Sequence, residues 1–452
     1  MACGEAPRPG RPATDKGILN RRQPMAGLKV DRSLAYWREA ERLIPAGSQT
    51  LSKRPVNYAM GAYPIYASRA EGCHIWDVDG NEYIDYVLGL GPITLGYCYP
   101  RVDAAIREQL AKGIIYGLIS PLEIEAAKAV CESVPCAEMV RFLKSGCEVT
   151  SAAVRIARAY TKREKVATTG YHGWHDTWTA ARNDGGVPKV LSEYVLPFGY
   201  NDLESLEKIF KAHPGEIAAV VMDPASTKMP KPGFLEGVRR LATTHGAVLI
   251  YDEIVTGFRM ALGGGQEYFK VVPDLACFAK GMANGMPVAA VVGRAEVMKC
   301  AEKLVISVTY GGEALSLAAI VAAIAEYREK DVFPFIWRQG EKLMAGMNKA
   351  AQSHGFPPMC VGFAPMSGMA LTHENPKLVD KMWYFFLAEC AKRGVLMRRG
   401  GLNFITYSHS DGDIARTVAA VDETLAEMRR ALDSGKLNES SQYESCGQRL
   451  SG

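Results

Sequence analysis

Residues 246–287 read GAVLIYDEIVTGFRMALGGGQEYFKVVPDLACFAKGMANGMP. One apolar run ends on two adjacent acids, Asp252 and Glu253, and a second ends at Lys280, 28 positions after Asp252. Runs this short and this continuously apolar suit strands covered on both faces, as in parallel sheets. Lys280 precedes Gly281 and the aperiodic stretch GMANGMP. A lysine so placed is either a solvated loop cation or a buried amine with chemistry. The rest of the chain has to decide between them.

Working outward, EIAAVVMDP reads as another buried strand ending at Asp223-Pro224, and MPVAAVVG as a fourth. Strand-like runs alternate with helical patterns, which predicts an α/β core around a largely parallel sheet. Ligands in such sheets sit beyond the carboxyl ends of the strands. Asp223, Asp252 and Lys280 would then share one rim. The helical stretches SLAAIVAAIAEYREKD and FIWRQGEKLMAGMNKAAQSHG lead into a smaller C-terminal unit, with short strands in MSGMALTHE, GVLMRRG and NFITYSH.

Composition narrows the class. The chain has 452 residues, 48% hydrophobic and 23% charged, with 53 basic against 49 acidic side chains. That is an ordinary globular balance, and a net charge of +4 without a basic cluster gives no footprint for nucleic acid. Eleven cysteines, an odd number without metal-ligand spacing, read as reduced thiols of a cytoplasmic protein, and no metal is expected. No apolar run reaches the roughly 18–20 residues needed to span a bilayer. The opening residues, rich in Pro, Gly and Arg, and the polar C-terminal stretch read as disordered ends.

The chemistry lies in two further motifs. In FLKSGCEVTSAAVRIARAYTKRE a strand end meets a Ser-Gly-Cys turn and an amphipathic helix. Val149, Ala152, Ala153, Ile156 and Ala157 form its apolar face, with Arg155 and Arg158 free to face outward. The free N–H groups and dipole at such a helix start suit a phosphate, although serine is also a routine N-cap with no ligand. In TTGYHGWHD, Tyr171, His172 and Trp174 surround Gly173. These rings are either tucked into the core or stacked on a flat cofactor. Together the parts match what holds pyridoxal phosphate: an anion site, a stacking ring, an acid for the ring nitrogen and an amine for the aldehyde.

With these residues the chain resembles the class III (ornithine/ω-type) aminotransferases of the type I pyridoxal-phosphate fold, most nearly their glutamate-1-semialdehyde aminomutase-like subgroup. The likeness runs from AERLIPAG to TLAEMRR, and EGCHIWDVDGNEYIDYVLGLGPITLGYCYP resembles the family's N-terminal segment. The resemblance implies that Lys280 is the Schiff-base lysine and proton shuttle, and that Asp252 pairs with the pyridinium nitrogen. It implies Ile254 on one ring face, Tyr171 on the other with His172 beside it, and Ser145, Gly146 and Cys147 around the phosphate. Thr309 in VTYGGEALS matches the threonine that reaches the phosphate of the partner subunit, implying a homodimer with shared sites. The implied organisation is a disordered arm (1–30), an N-terminal segment packing with the small domain (31–95), a large cofactor domain (96–330), a small α+β domain (331–432) and a disordered tail (433–452).

Three positions depart from the family pattern. Cys147 stands where threonine is usual, Asp223-Pro224 replaces Glu-Pro, and AGSQTLSKRPVNY replaces the aminomutase's GGVNSPVRAF-like segment. Lys53-Arg54 falls where that segment has its substrate-facing arginine, and Arg398-Arg399 precedes a glycine pair. Each basic pair is either solvated surface or a fork for a substrate carboxylate. The expected activity is transfer of an amino group between an amino donor and a keto or aldehyde acceptor, with an intramolecular aminomutase as the alternative.

Overall fold

The computed structural model describes residues 28–182, 185–225 and 227–439. Its largest sheet has seven strands in the spatial order Met139–Leu143, Ala289–Gly293, Leu275–Phe278, Val248–Asp252, Ile217–Met222, Lys165–Thr169, Val195–Pro197. The four contiguous strands from Ala289–Gly293 to Ile217–Met222 are buried along most or all of their length, because helices cover both faces. From Ala219 onward the side chains of these strands alternate between two cores. Ala219, Val221, Ile250, Leu275, Cys277 and Val291 pack with helix Gly146–Thr161. Val220, Met222, Leu249, Tyr251, Ala276 and Phe278 pack on the opposite face, with helices Leu203–Ala212, Phe234–Thr244 and Ala314–Glu329. A two-residue period inside continuously apolar runs is what a doubly covered sheet requires.

The sheet is parallel apart from one strand. Ala289–Gly293 runs antiparallel to both neighbours. The chain reaches it from Leu275–Phe278 through the turn that starts at Lys280, without a helical crossover, so it returns in the opposite sense. The amphipathic helix behaves as read: its five apolar residues are buried and Arg155 is exposed, while Arg158 is half-covered and donates to the Glu164 carbonyl at 2.7 Å.

A four-stranded sheet joins the two ends of the chain. Ala67–Glu71, His74–Asp77 and Glu82–Asp85 form an antiparallel meander, and Val395–Leu396 adds in parallel beside Glu82–Asp85. One hydrophobic cluster accordingly mixes Leu34, Tyr63 and Tyr83 with Ile336, Phe386 and Leu425. A third sheet, Cys360–Phe363, Met366–Met369 and Leu402–Phe404, is antiparallel. The described parts of both ends contribute packed residues. Leu28 and Val30 are buried in the mixed cluster, and a helical turn at Lys436–Glu439 buries Leu437. Isolated apolar residues in a polar stretch carry that packing. The remainder of both expected tails, 1–27 and 440–452, lies outside the described residues.

Candidate active site

Asp223, Asp252 and Lys280 stand at or just past the carboxyl ends of three adjacent parallel strands. Lys280 opens a short turn, Lys280–Ala283, with φ of 44°, in the left-handed region that a side-chain-bearing residue enters at a cost of about 1–3 kcal/mol. Desolvation pulls its ammonium down to about 8, helped by the charges of Arg259 and Arg398 and opposed by Asp252 and Asp223.

Asp252 is buried and fixed at both oxygens. Oδ2 lies 2.8 Å from His172 Nδ1, and Oδ1 accepts the Ile254 N–H at 3.1 Å. His172 Nε2 faces the Thr169 carbonyl at 3.1 Å, so this nitrogen carries a proton, and Trp178 packs edge-on at 5.0 Å. Burial works against the imidazolium, yet the Asp252 bond and the charges of Asp223 and Asp252 outweigh it and raise the ring above its ordinary value. Asp223 is pushed up to about 7 by burial and by Asp252, with His172 and Lys280 in opposition. Polar atoms of His172, Asp223 and Asp252 gather within 4.8 Å. The three groups form one cluster of ionisable side chains beside the rim. Glu253, the other acid of the pair, turns away: it is fully buried, accepts the N–H groups of Gly265 and Gln266 at 2.7 and 2.8 Å, and bonds Thr256 Oγ1. One acid faces the site and its neighbour holds the GGG loop.

Helix Gly146–Thr161 starts at Ser145, whose N–H is taken by Glu148 Oε2 at 2.8 Å. The N–H groups of Gly146 and Cys147 stand in the first turn, where no helical carbonyl reaches them. A Cβ on Gly146 would lie 2.7 Å from Ile254 Cδ1, so Ile254 and the helix start close on each other without a side chain between them. Cys147 Sγ lies 3.3 Å from Ser145 Oγ, a weak donor where threonine would present a hydroxyl. Tyr171 is 60% exposed, with Arg182 stacked at 5.1 Å from its ring.

The candidate substrate cations separate. Arg399 is engaged: it pairs with Asp380 and lies over Trp383. Arg398 is half-buried, its Nε is covered without a partner, and its charge acts on both Lys280 and Tyr58. Arg54 is half-buried with a similarly unpartnered Nε, while Lys53 is exposed. Thr309 is exposed on the loop before helix Ala314–Glu329 and, among the described residues, makes no hydrogen bond to Ser145, Gly146 or Cys147. Sequence reasoning passed over Arg259 of TGFR, which is 1% exposed. A lone arginine inside an apolar run was the available signal.

These residues suit an acceptor-rich, flat, phosphorylated cofactor. Free helical N–H groups, a cradle that a Cβ at 146 would fill, and buried donors without partners at Trp178 Nε1 and Arg398 Nε all call for a ligand's acceptors. The aminotransferase class-III family model matches residues 57–410. The chain belongs to this family. A 3-aminobutyryl-CoA aminotransferase of Cloacimonas acidaminovorans is 36% identical over 413 residues, spanning 90% of this chain and 99% of that protein. A glutamate-1-semialdehyde 2,1-aminomutase of Roseiflexus castenholzii is 36% identical over 438 residues, with 90% and 100% coverage. Among solved structures, the PLP internal aldimine form of the FumI protein from Sphingopyxis sp. MTA144 superposes with a TM-score of 0.85 at 28% identity, covering 89% of this chain and 98% of that one. This class-III aminotransferase therefore has the type I fold and uses pyridoxal phosphate.

Proposed function

We propose that this class-III enzyme is an intermolecular aminotransferase for a carboxylate-bearing donor or acceptor, with Lys280 as its catalytic amine. The observation that carries the reading is Lys280 itself, held in a strained turn at the strand rim with its proton affinity depressed, beside the fixed Asp252–His172 pair.

When bound, pyridoxal phosphate supplies an aldehyde carbon for amines and a ring that draws electrons from the substrate carbon. Asp252, oriented by His172 and the Ile254 N–H, is the anionic acceptor for a protonated ring nitrogen. Ile254 covers one ring face and Tyr171 the other. Ser145 Oγ and the N–H groups of Gly146 and Cys147 take the phosphate oxygens. Lys280 Nζ, which gives up its own proton far more readily than an ordinary lysine, takes a proton from the substrate's α-carbon as the free amine and redelivers it. Arg398 offers a two-pronged donor to the substrate carboxylate. The site is completed in a homodimer, with Thr309 reaching the partner's phosphate. Exposed Ile115, Leu118, Ile119, Val305 and Tyr310 supply apolar surface for that contact. A cytoplasmic location is supported by the free thiol state of every cysteine among the described residues.

The test is a panel of amino donors scored by loss of the cofactor's absorbance band, then by turnover with and without a separate carbonyl acceptor. Bleaching by carboxylate-bearing donors and an absolute need for an acceptor are expected. Product formed from a single substrate without acceptor would replace the transferase reading by the mutase one. Lys280→Ala should be folded and inactive, and near-parent turnover in it would remove the lysine from the mechanism.

A further inference from the structure

Arg259 is among the largest fully buried side chains of the protein, and among the described residues it forms no ion pair with a carboxylate. Its guanidinium is caged by neutral acceptors. Nη1 donates to the carbonyls of Ile405 at 2.9 Å and Pro365 at 3.4 Å. Nη2 donates to the carbonyls of Gly91 and Ile93 at 3.0 and 3.1 Å and to Thr94 Oγ1 at 3.1 Å. Phe404 presents its ring face at 4.7 Å. Carbonyl dipoles solvate a cation without neutralising it, so a unit positive charge stays active in a low-dielectric interior.

That charge sits against the lysine turn. Thr94 Oγ1, bonded to Arg259, lies 2.8 Å from where a Cβ on Gly281 would be, and the Phe258 carbonyl lies 3.0 Å from the same point. Asn284, just past the turn, accepts the N–H groups of Thr94 and Leu95 at 3.0 and 2.9 Å and donates to the Gly96 carbonyl at 2.9 Å. The loop around Gly91–Thr94 is thus gripped by Arg259 on one side and by the lysine turn on the other.

We propose that Arg259 is a positioning residue for the reaction: its unneutralised charge is set one hydrogen bond, through Thr94, behind the lysine turn, and its five-acceptor grip fixes the Gly91–Thr94 loop against that turn. The proposal builds on the reading of Lys280 as the reactive amine. The charged groups acting on that amine are Asp252 and Asp223, which favour the ammonium, and Arg259 and Arg398, which oppose it. Arg398 is half-buried, and the substrate carboxylate proposed for it would cancel its charge. Arg259 is sealed in, so its influence persists through turnover.

The experiment measures acetylation of Lys280 in the apoenzyme by trace acetic anhydride across pH, read by mass spectrometry of the Lys280 peptide. It compares the parent with Arg259→Met, Arg259→Gln and Arg259→Lys. The neutral variants should move the midpoint of Lys280 reactivity upward by about one pH unit, slowing labelling near neutrality about tenfold. The lysine variant keeps the charge and loses most of the grip, so its midpoint should stay with the parent while its melting temperature falls. Folded neutral variants with an unmoved midpoint would overturn the proposal. If neither neutral variant folds, Arg259→Lys decides: a parent-like midpoint supports the charge effect, and an upward move of a unit despite the retained charge overturns it. Adding cofactor to the parent and to Lys280→Ala separates the two readings. Absence of a Lys280-dependent absorbance band in the parent would defeat the lysine assignment, whereas its presence with unmoved variant midpoints would defeat the arginine proposal alone.

Discussion

The depressed proton affinity of Lys280 costs stability, and the sign can be worked out. Its folded value of about 8 lies below the usual lysine value near 10.4, so below pH 8 both states bind the proton and the folded state carries the whole penalty. As pH rises from about 8 to 10.4 the unfolded chain holds more protons than the folded one, and stability contributed by this group rises. A shift of this size is worth at most about 3 kcal/mol. Apo Lys280→Met should therefore melt above the apo parent at pH 7, with the gap closing through that window. A gap independent of pH, measured by calorimetry, would show that the amine is not held against its proton. A second prediction separates the neighbouring arginines. Arg398→Lys should lose roughly 1.5–3 kcal/mol, about ten- to a hundredfold in kcat/KM, for carboxylate-bearing substrates only. Arg399→Lys should leave kcat/KM near the parent's, because Asp380 and Trp383 already engage that side chain. Equal responses of carboxylate and non-carboxylate donors to Arg398→Lys would place that guanidinium outside the substrate's reach.

The helix that begins at Gly146 ties sequence pattern to site at the scale of an element. Gly146 has no positive φ, so alanine fits its backbone and should favour the helix by about 0.5–1 kcal/mol. The same methyl would press on Ile254 Cδ1, 2.7 Å away, and spoil the cradle. Gly146→Ala should hold or raise the apoenzyme's melting temperature while weakening cofactor binding by at least about tenfold, since small misplacements of binding groups are costly. Unchanged cofactor affinity by titration would mean the glycine serves only the turn. Other elements show what a sequence can and cannot disclose. The buried strands were legible because double coverage makes them apolar throughout, and the rim of Asp223, Asp252 and Lys280 followed from where those runs stop. The orientation of Ala289–Gly293 was not legible, because VAAVVG packs equally well in either direction. Arg259 was hidden for a different reason: its acceptors come from Gly91, Ile93, Pro365 and Ile405, which no local pattern brings together. The closing turn at Lys436–Glu439 was missed because a single buried Leu437 is invisible against a polar background.

At the scale of the whole molecule, the single chain brings together Lys280, Asp252 and the helix start at Gly146, the parts of the proposed site, while Thr309 stays exposed and unbonded to that helix start. Leu118 and Ile119, 86% and 81% exposed, and Val305, 83% exposed, are large apolar side chains that a partner would cover. A shared-site dimer makes a sharp demand on mixtures of inactive chains. Lys280→Ala removes the amine from its own chain's site, and Thr309→Tyr blocks the phosphate contact in the other site. In a heterodimer of the two variants, one site collects both defects and the other has neither, because Lys280 and Thr309 of a given site come from different chains. Mixing, with exchange of subunits confirmed by native mass spectrometry, should recover up to about one intact site per heterodimer, read as half the parent's specific activity for that species. If Thr309 instead served its own chain's site, each site of the heterodimer would carry one defect and activity would stay at the level of the separate variants. Recovered activity in proportion to heterodimer, against none in either parent variant, is therefore the outcome that only a site built by two chains produces.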